Sequence, residues 1–158
     1  ILTVSDRCSK GSREDRSGEV IREMVTARLN GEVIRYGIVP DDREIIAQKL
    51  TEMVDVTGCE LVLTTGGTGC SPRDNTPEAT LMVIEKQVPG LAETMRLTSL
   101  KITPHAMLSR AISGIRKQCL IVNLPGSPKG VAECLDAIMT ALPHGLSVLR
   151  GDVSDCGQ

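Results

Sequence analysis

The residues of this sequence best suited to chemistry are a cluster of glycines. Gly66, Gly67 and Gly69 fall in the segment Leu63-Thr64-Thr65-Gly66-Gly67-Thr68-Gly69, which continues an apolar run. A backbone without side chains can turn sharply there and aim its amides at one point, and converging amide dipoles hold anions. Thr65 leads into the turn and Thr68 adds a hydroxyl donor. Phosphate binding is the chemistry this predicts, though a tight turn needing positive φ would use the same glycines. Two familiar phosphate loops are excluded by spacing. No lysine follows the glycines as a P-loop requires, and Pro72 stands where the dinucleotide fingerprint needs its third glycine.

Charged residues follow at once in Ser71-Pro72-Arg73-Asp74-Asn75-Thr76-Pro77-Glu78. The guanidinium of Arg73 can fork onto phosphate oxygens, and Asp74 can hold Mg²⁺ directly or through water. An aspartate in such a turn can equally accept backbone amides. Asp41, after Val39-Pro40, ends another apolar run. If both runs are strands of one sheet, Asp41 and Asp74 meet on one side of it. Two carboxylates there could bind Mg²⁺ and spread the charge on a transferred phosphoryl group. Asp42 is assigned to capping the next helix. Ser109, in Leu108-Ser109-Arg110, reads by itself as part of a solvated turn. Pro125, Gly126 and Ser127 form a rigid wall that a flat ring could approach, although Pro-Gly is a common turn. Ser5-Asp6-Arg7 and Asp15-Arg16-Ser17-Gly18 flank the first loop, where Arg7 and Arg16 could take a second phosphate or simply face water.

These loops need a scaffold, and the periodicity supplies one. Residues 1–4, 32–39, 61–65, 111–115 and 119–124 read as strands; residues 17–29, 42–56, 76–87, 90–100, 128–142 and 143–149 read as helices. Ser17 and Thr76 are expected N-caps, and Ser127-Pro128 repeats a cap-then-proline start. Such alternation predicts an α/β fold: one doubly wound, mostly parallel sheet, helices on both faces, and a short antiparallel segment. Ligands in such sheets bind beyond the carboxyl ends of the strands, which selects the loops at 5–16, 40–42, 66–75 and 125–127.

Composition narrows the partners. The 158 residues favour one domain over 1–150, followed by a polar tail at 151–158 that is expected to be mobile. There is no Trp or Phe and a single tyrosine, Tyr36, which argues against modules that stack nucleic-acid bases on aromatic side chains. A net charge of −2 argues against a phosphate-backbone binder. The six cysteines form no C-x-x-C pair and read as free thiols in a reducing cytoplasm rather than as zinc ligands or a disulfide framework. No apolar run approaches the roughly 20 residues of a membrane span.

Taken in order, the segments resemble the molybdopterin adenylyltransferase family, which includes the G domain of gephyrin and its plant and bacterial counterparts. The resemblance runs from Leu-Thr-Val-Ser-Asp-Arg at 2–7 to Leu-Pro-Gly-Ser-Pro at 124–128. Its most specific pieces are Thr-Thr-Gly-Gly-Thr-Gly, Pro-Arg-Asp-Asn-Thr-Pro-Glu-Ala-Thr, Met-Leu-Ser-Arg and Gly-Ile-Arg. It implies a homotrimer that binds molybdopterin and Mg²⁺-ATP, forms adenylyl-molybdopterin and pyrophosphate, and hands its product to a molybdenum-insertion enzyme. It matches the family's two important aspartates to Asp41 and Asp74, its serine to Ser109 and its nucleotide loop to residues 66–69. Asn75 and Cys70 depart from the usual valine and larger apolar residue. Two rivals share the fold, an inactive binding or scaffold module and the molybdenum-insertion enzyme itself, and a third is a nucleotide-binding domain with another acceptor. The pair Asp41 and Asp74, with Arg73 between glycines and helix, favours the transferase.

Overall fold

The computed structural model describes residues 1–152. Its strands are β1 (Leu2–Val4), β2 (Gly37–Val39), β3 (Leu61–Thr65), β4 (Lys86–Gln87), β5 (Ser113–Arg116) and β6 (Cys119–Leu124). They form one sheet in the order β2-β1-β3-β6-β5-β4. β1, β2, β3 and β6 are parallel, whereas β5 runs antiparallel to both β6 and β4. This is the expected mostly parallel α/β sheet with a short antiparallel part.

The helices are α1 (Asp6–Ser9), α2 (Arg16–Leu29), α3 (Arg43–Asp55), α4 (Thr76–Val83), α5 (Pro89–Leu100), α6 (Pro128–Ile138) and α7 (Leu142–Arg150). Strand alternation divides the core between two faces. Leu63, Leu120, Val122 and Leu124 point toward α2, α5 and α6, packing on Ile21, Met95 and Leu135. Val62 and Ile121 point the other way, toward Ile46, Leu50 and Met53 of α3 and Ala79 of α4. Every residue of β6 is buried, as a central strand covered on both faces requires. Among the described residues no helix is long and apolar enough to cross a membrane.

Four local expectations are corrected. The first loop contains α1, because Ser5 caps a helical turn by accepting the Cys8 amide at 3.2 Å. The cap of α2 is Asp15, which accepts from Gly18; Ser17 lies inside the helix and donates to the Gly126 carbonyl at 2.9 Å. Thr76 is likewise the first residue of α4, and its hydroxyl donates to the Gly66 carbonyl at 2.8 Å. Finally, α4 stops at Val83, because Glu85 and β4 bond to β5 instead, with the Glu85 amide 2.7 Å from the Ile115 carbonyl. Asp42 caps α3 as expected, accepting from Ile45 at 3.0 Å. Of the tail expected over 151–158, residues 153–158 lie outside the described residues.

Candidate active site

The chain leaves β1 toward β2 on one side and returns to β3 on the other, so the strand order opens a crevice at the carboxyl ends of β1 and β3. Gly66 and Gly67 floor it. Both have left-handed backbones, with φ of 96° and 63°. Side chains would not fit either: a Cβ on Gly66 would lie 2.2 Å from the Val4 carbonyl oxygen, and one on Gly67 would lie 2.4 Å from Thr76 Oγ1. The Gly66 amide is used within the fold, donating to Leu124. Among the described residues no acceptor takes the amides of Gly67, Thr68 and Gly69. Amides left free in such a turn converge on one point, a geometry suited to an anion.

Asp41 and Asp6 lock the ends of β2 and β1 together. The Asp6 amide donates to Asp41 Oδ2 at 2.7 Å, and the Asp41 amide donates to Asp6 Oδ1 at 3.1 Å. Arg73 arrives from the glycine-rich loop and grips Asp6 with both Nε and Nη2, at 3.2 and 2.9 Å. That ion pair holds the Asp6 carboxyl below the usual carboxylate range. Asp41 is different. Burial raises its carboxyl above the ordinary aspartate value, and the charges of Asp6 and Asp74 add to this. Asp74 is held inside its own turn, its Oδ2 accepting from the Ser71 amide at 2.8 Å.

Two clefts meet over this floor and share Gly67 and Gly126. The smaller, about 400 Å³, is polar and lined by Ser5, Asp6, Arg7, Arg13 and Asp41. The larger, about 690 Å³, runs past Asp74, Ser109 and Ser127, with Met95, Ile102 and Leu108 as apolar wall. Arg110 binds the glycine-rich loop to the segment carrying Ser109, its Nε donating to the Gly69 carbonyl at 2.6 Å.

A family model described as a probable molybdopterin binding domain matches residues 1–144. The chain belongs to this family. It is 48% identical over 153 residues to the molybdopterin adenylyltransferase of Helicobacter pylori strain J99, covering 96% of this chain and 87% of that protein. The corresponding figures for the molybdopterin adenylyltransferase of Escherichia coli K12 are 44% over 152 residues, 96% and 77%. The crystal structure of the molybdopterin biosynthesis enzyme MoaB from Thermus thermophilus superposes with a TM-score of 0.90 at 49% identity, covering 96% of this chain and 94% of that one.

In this member of the molybdopterin-binding family the residues singled out from sequence occupy one end of the sheet. Ser5, Asp41, Thr65, Gly66 and Gly126 line the smaller cleft; Thr68, Gly69, Asp74, Ser109, Pro125 and Ser127 line the larger. Three of them also serve the fold. The Thr65 hydroxyl donates inward to the Pro125 carbonyl at 2.7 Å, Ser127 caps α6 through the Gly130 amide at 3.1 Å, and Ser5 caps α1. Arg73 meets Asp6, an acceptor that sequence reasoning overlooked because it looked for cations in Ser5-Asp6-Arg7. Arg110 was also passed over as a contributor. Its partners are carbonyls of residues 69 and 74 and the side chain of Glu78, pairings that no spacing announces.

Proposed function

We propose that this chain is a molybdopterin adenylyltransferase, joining AMP from ATP to the terminal phosphate of molybdopterin. The observation that carries this reading is the meeting of two clefts at Gly67, beside two carboxylates and three amides that find no acceptor among the described residues. Two substrates lodged in the clefts would face each other across the loop, which turns an encounter between polyanions into an oriented one. An oxygen of the molybdopterin phosphate forms the new bond to the α-phosphorus of ATP. The bond from that phosphorus to the bridging oxygen breaks, and pyrophosphate leaves with the electron pair. The amides of Gly67, Thr68 and Gly69 hold the phosphate oxygens where negative charge builds up, and Arg73, its fork taken by Asp6, offsets that carboxylate's charge beside them. Ser109 orients a substrate from the larger cleft, and Pro125, Gly126 and Ser127 give that substrate a wall.

Asp41 and Asp74 suit a magnesium site. The Asp41 carboxylate sits in an environment that penalises its charge, with two further carboxylates near it and the nearest guanidinium engaged by Asp6. Among the described residues no group of three or more His, Cys, Asp or Glu side chains is placed to hold a metal. An ion at the Asp41–Asp74 pair would therefore complete its shell with phosphate oxygens and water, the usual habit of magnesium. Bound there, Mg²⁺ would neutralise charge on the reacting phosphates.

The reading includes a homotrimer working in the cytoplasm without nucleic acid or membrane, and passing its product to a molybdenum-insertion enzyme. The experiment is to incubate the protein with molybdopterin, ATP and Mg²⁺ and to search for adenylyl-molybdopterin by mass spectrometry. The product should form with wild type and fall by at least about 100-fold with Asp74→Ala. Molybdopterin binding without any adenylyl product would support the alternative, an inactive binding module.

A further inference from the structure

The loop between residues 69 and 74 is closed at both ends by one side chain from another part of the fold. Arg110 Nε donates to the Gly69 carbonyl at 2.6 Å, and its Nη2 donates to the Asp74 carbonyl at 2.5 Å. Nη1 reaches the Glu78 carboxylate in the first turn of α4. The Arg110 amide donates to the Thr68 carbonyl at 2.9 Å. Inside the loop, the Asp74 amide donates to the Ser71 carbonyl at 2.9 Å while Asp74 Oδ2 accepts the Ser71 amide at 2.8 Å. The turn thus fixes the carboxylate, and the arginine fixes the turn.

We infer that Arg110 is a positioning residue for Asp74, setting where that carboxylate stands relative to the unpaired amides of the glycine loop. The inference rests on the adenylyl-transfer reading of the site. The guanidinium meets its three acceptors from three separate nitrogens in a fixed plane; an ammonium in its place keeps the charge and three donors, but on one nitrogen, and loses the span. Ser109, the neighbour of Arg110, has supports of its own. Its amide donates to the Ala106 carbonyl at 3.1 Å, and Arg96 Nη1 donates to the Ala111 carbonyl at 2.8 Å. Loss of the fork should therefore loosen the Asp74 side of the larger cleft and spare the Ser109 side.

Arg110→Lys is the informative variant, because it retains a cation opposite Glu78, whose Oε2 is buried without a partner. Hydrogen exchange on the full chain should show the bonded amides of Ser71 and Asp74 exchanging on the order of tenfold faster, with β3 and α6 unchanged. Turnover should fall by about 10- to 100-fold while KM for molybdopterin holds. Arg110→Ala should lose turnover in the same way, so that lysine gives no rescue. Full turnover in Arg110→Lys would reduce the residue to a charge, and faster exchange throughout the chain would make it a general stabiliser; either overturns the inference. If wild type makes no adenylyl-molybdopterin, the transfer reading fails separately, and the exchange comparison alone decides whether Arg110 holds the loop.

Discussion

Asp41 sits in a place that resists charge. Burial raises its carboxyl, and neither the bond from the Asp6 amide nor the positive charge of Arg73 brings it back to the ordinary value. The sign of the linkage follows. A carboxyl raised in the folded state favours folding at acid pH, and that contribution is lost as pH rises through the folded value. Asp41→Asn should therefore unfold at a higher temperature than wild type at pH 7, with the difference shrinking as pH approaches the ordinary carboxylate range. The same variant should lose most of its turnover, as expected where function holds a destabilised group in place. Thermal melts at several pH values check this; a lower melting temperature at pH 7 would show that the ionised carboxylate stabilises the fold. At this scale the sequence singled out side chains that the fold gathers around the two clefts, but not all their partners. Asp74 and Arg73 were legible from their position after the glycines. The tie from Arg73 to Asp6 spans 67 positions and depends on how β1 and β3 lie side by side.

Elements were legible where local chemistry and burial agreed. β6 has the predicted bounds because every residue in it is buried. β2 is shorter than the predicted 32–39, since β1 pairs only with residues 37–39. The start of α2 differs from the expected Ser17 cap because two oxygen-bearing residues compete there. Asp15 wins the cap, held by the Tyr36 hydroxyl at 2.5 Å and by Thr3, which leaves Ser17 to bind the Gly126 carbonyl. That arrangement leaves no room at Gly18, where a Cβ would lie 1.9 Å from the Tyr36 hydroxyl oxygen and 2.6 Å from Asp15 Oδ2. Gly18→Ala should cost about 1–3 kcal/mol in urea unfolding, as overpacking does elsewhere. An unchanged midpoint would mean that Tyr36 can leave Asp15 freely.

For the molecule as a whole, the fold class followed from the order of strands and helices, and so did the gathering of the candidate loops at one end of the sheet. The apolar surface did not, because exposure depends on tertiary contacts. Leu97, Leu100 and Met107 lie exposed along the end of α5 and the short helical segment after it, outside the cleft wall. An apolar strip of this kind suits burial between copies of the chain, in keeping with the proposed trimer. Sedimentation equilibrium should give three times the 16.9 kDa of one chain. A mass of one chain at micromolar concentration would leave the strip needing another explanation.

The solitary Tyr36 also makes the protein nearly dark in the near ultraviolet, since the chain has no tryptophan or phenylalanine. Adenine and pterin absorption would be read against an almost empty background. The phenol's signal would come from one known place, hydrogen-bonded to Asp15, which itself lines the smaller cleft. The chain therefore carries a single intrinsic phenol one hydrogen bond behind that cleft, which a ligand reaching Asp15 would perturb.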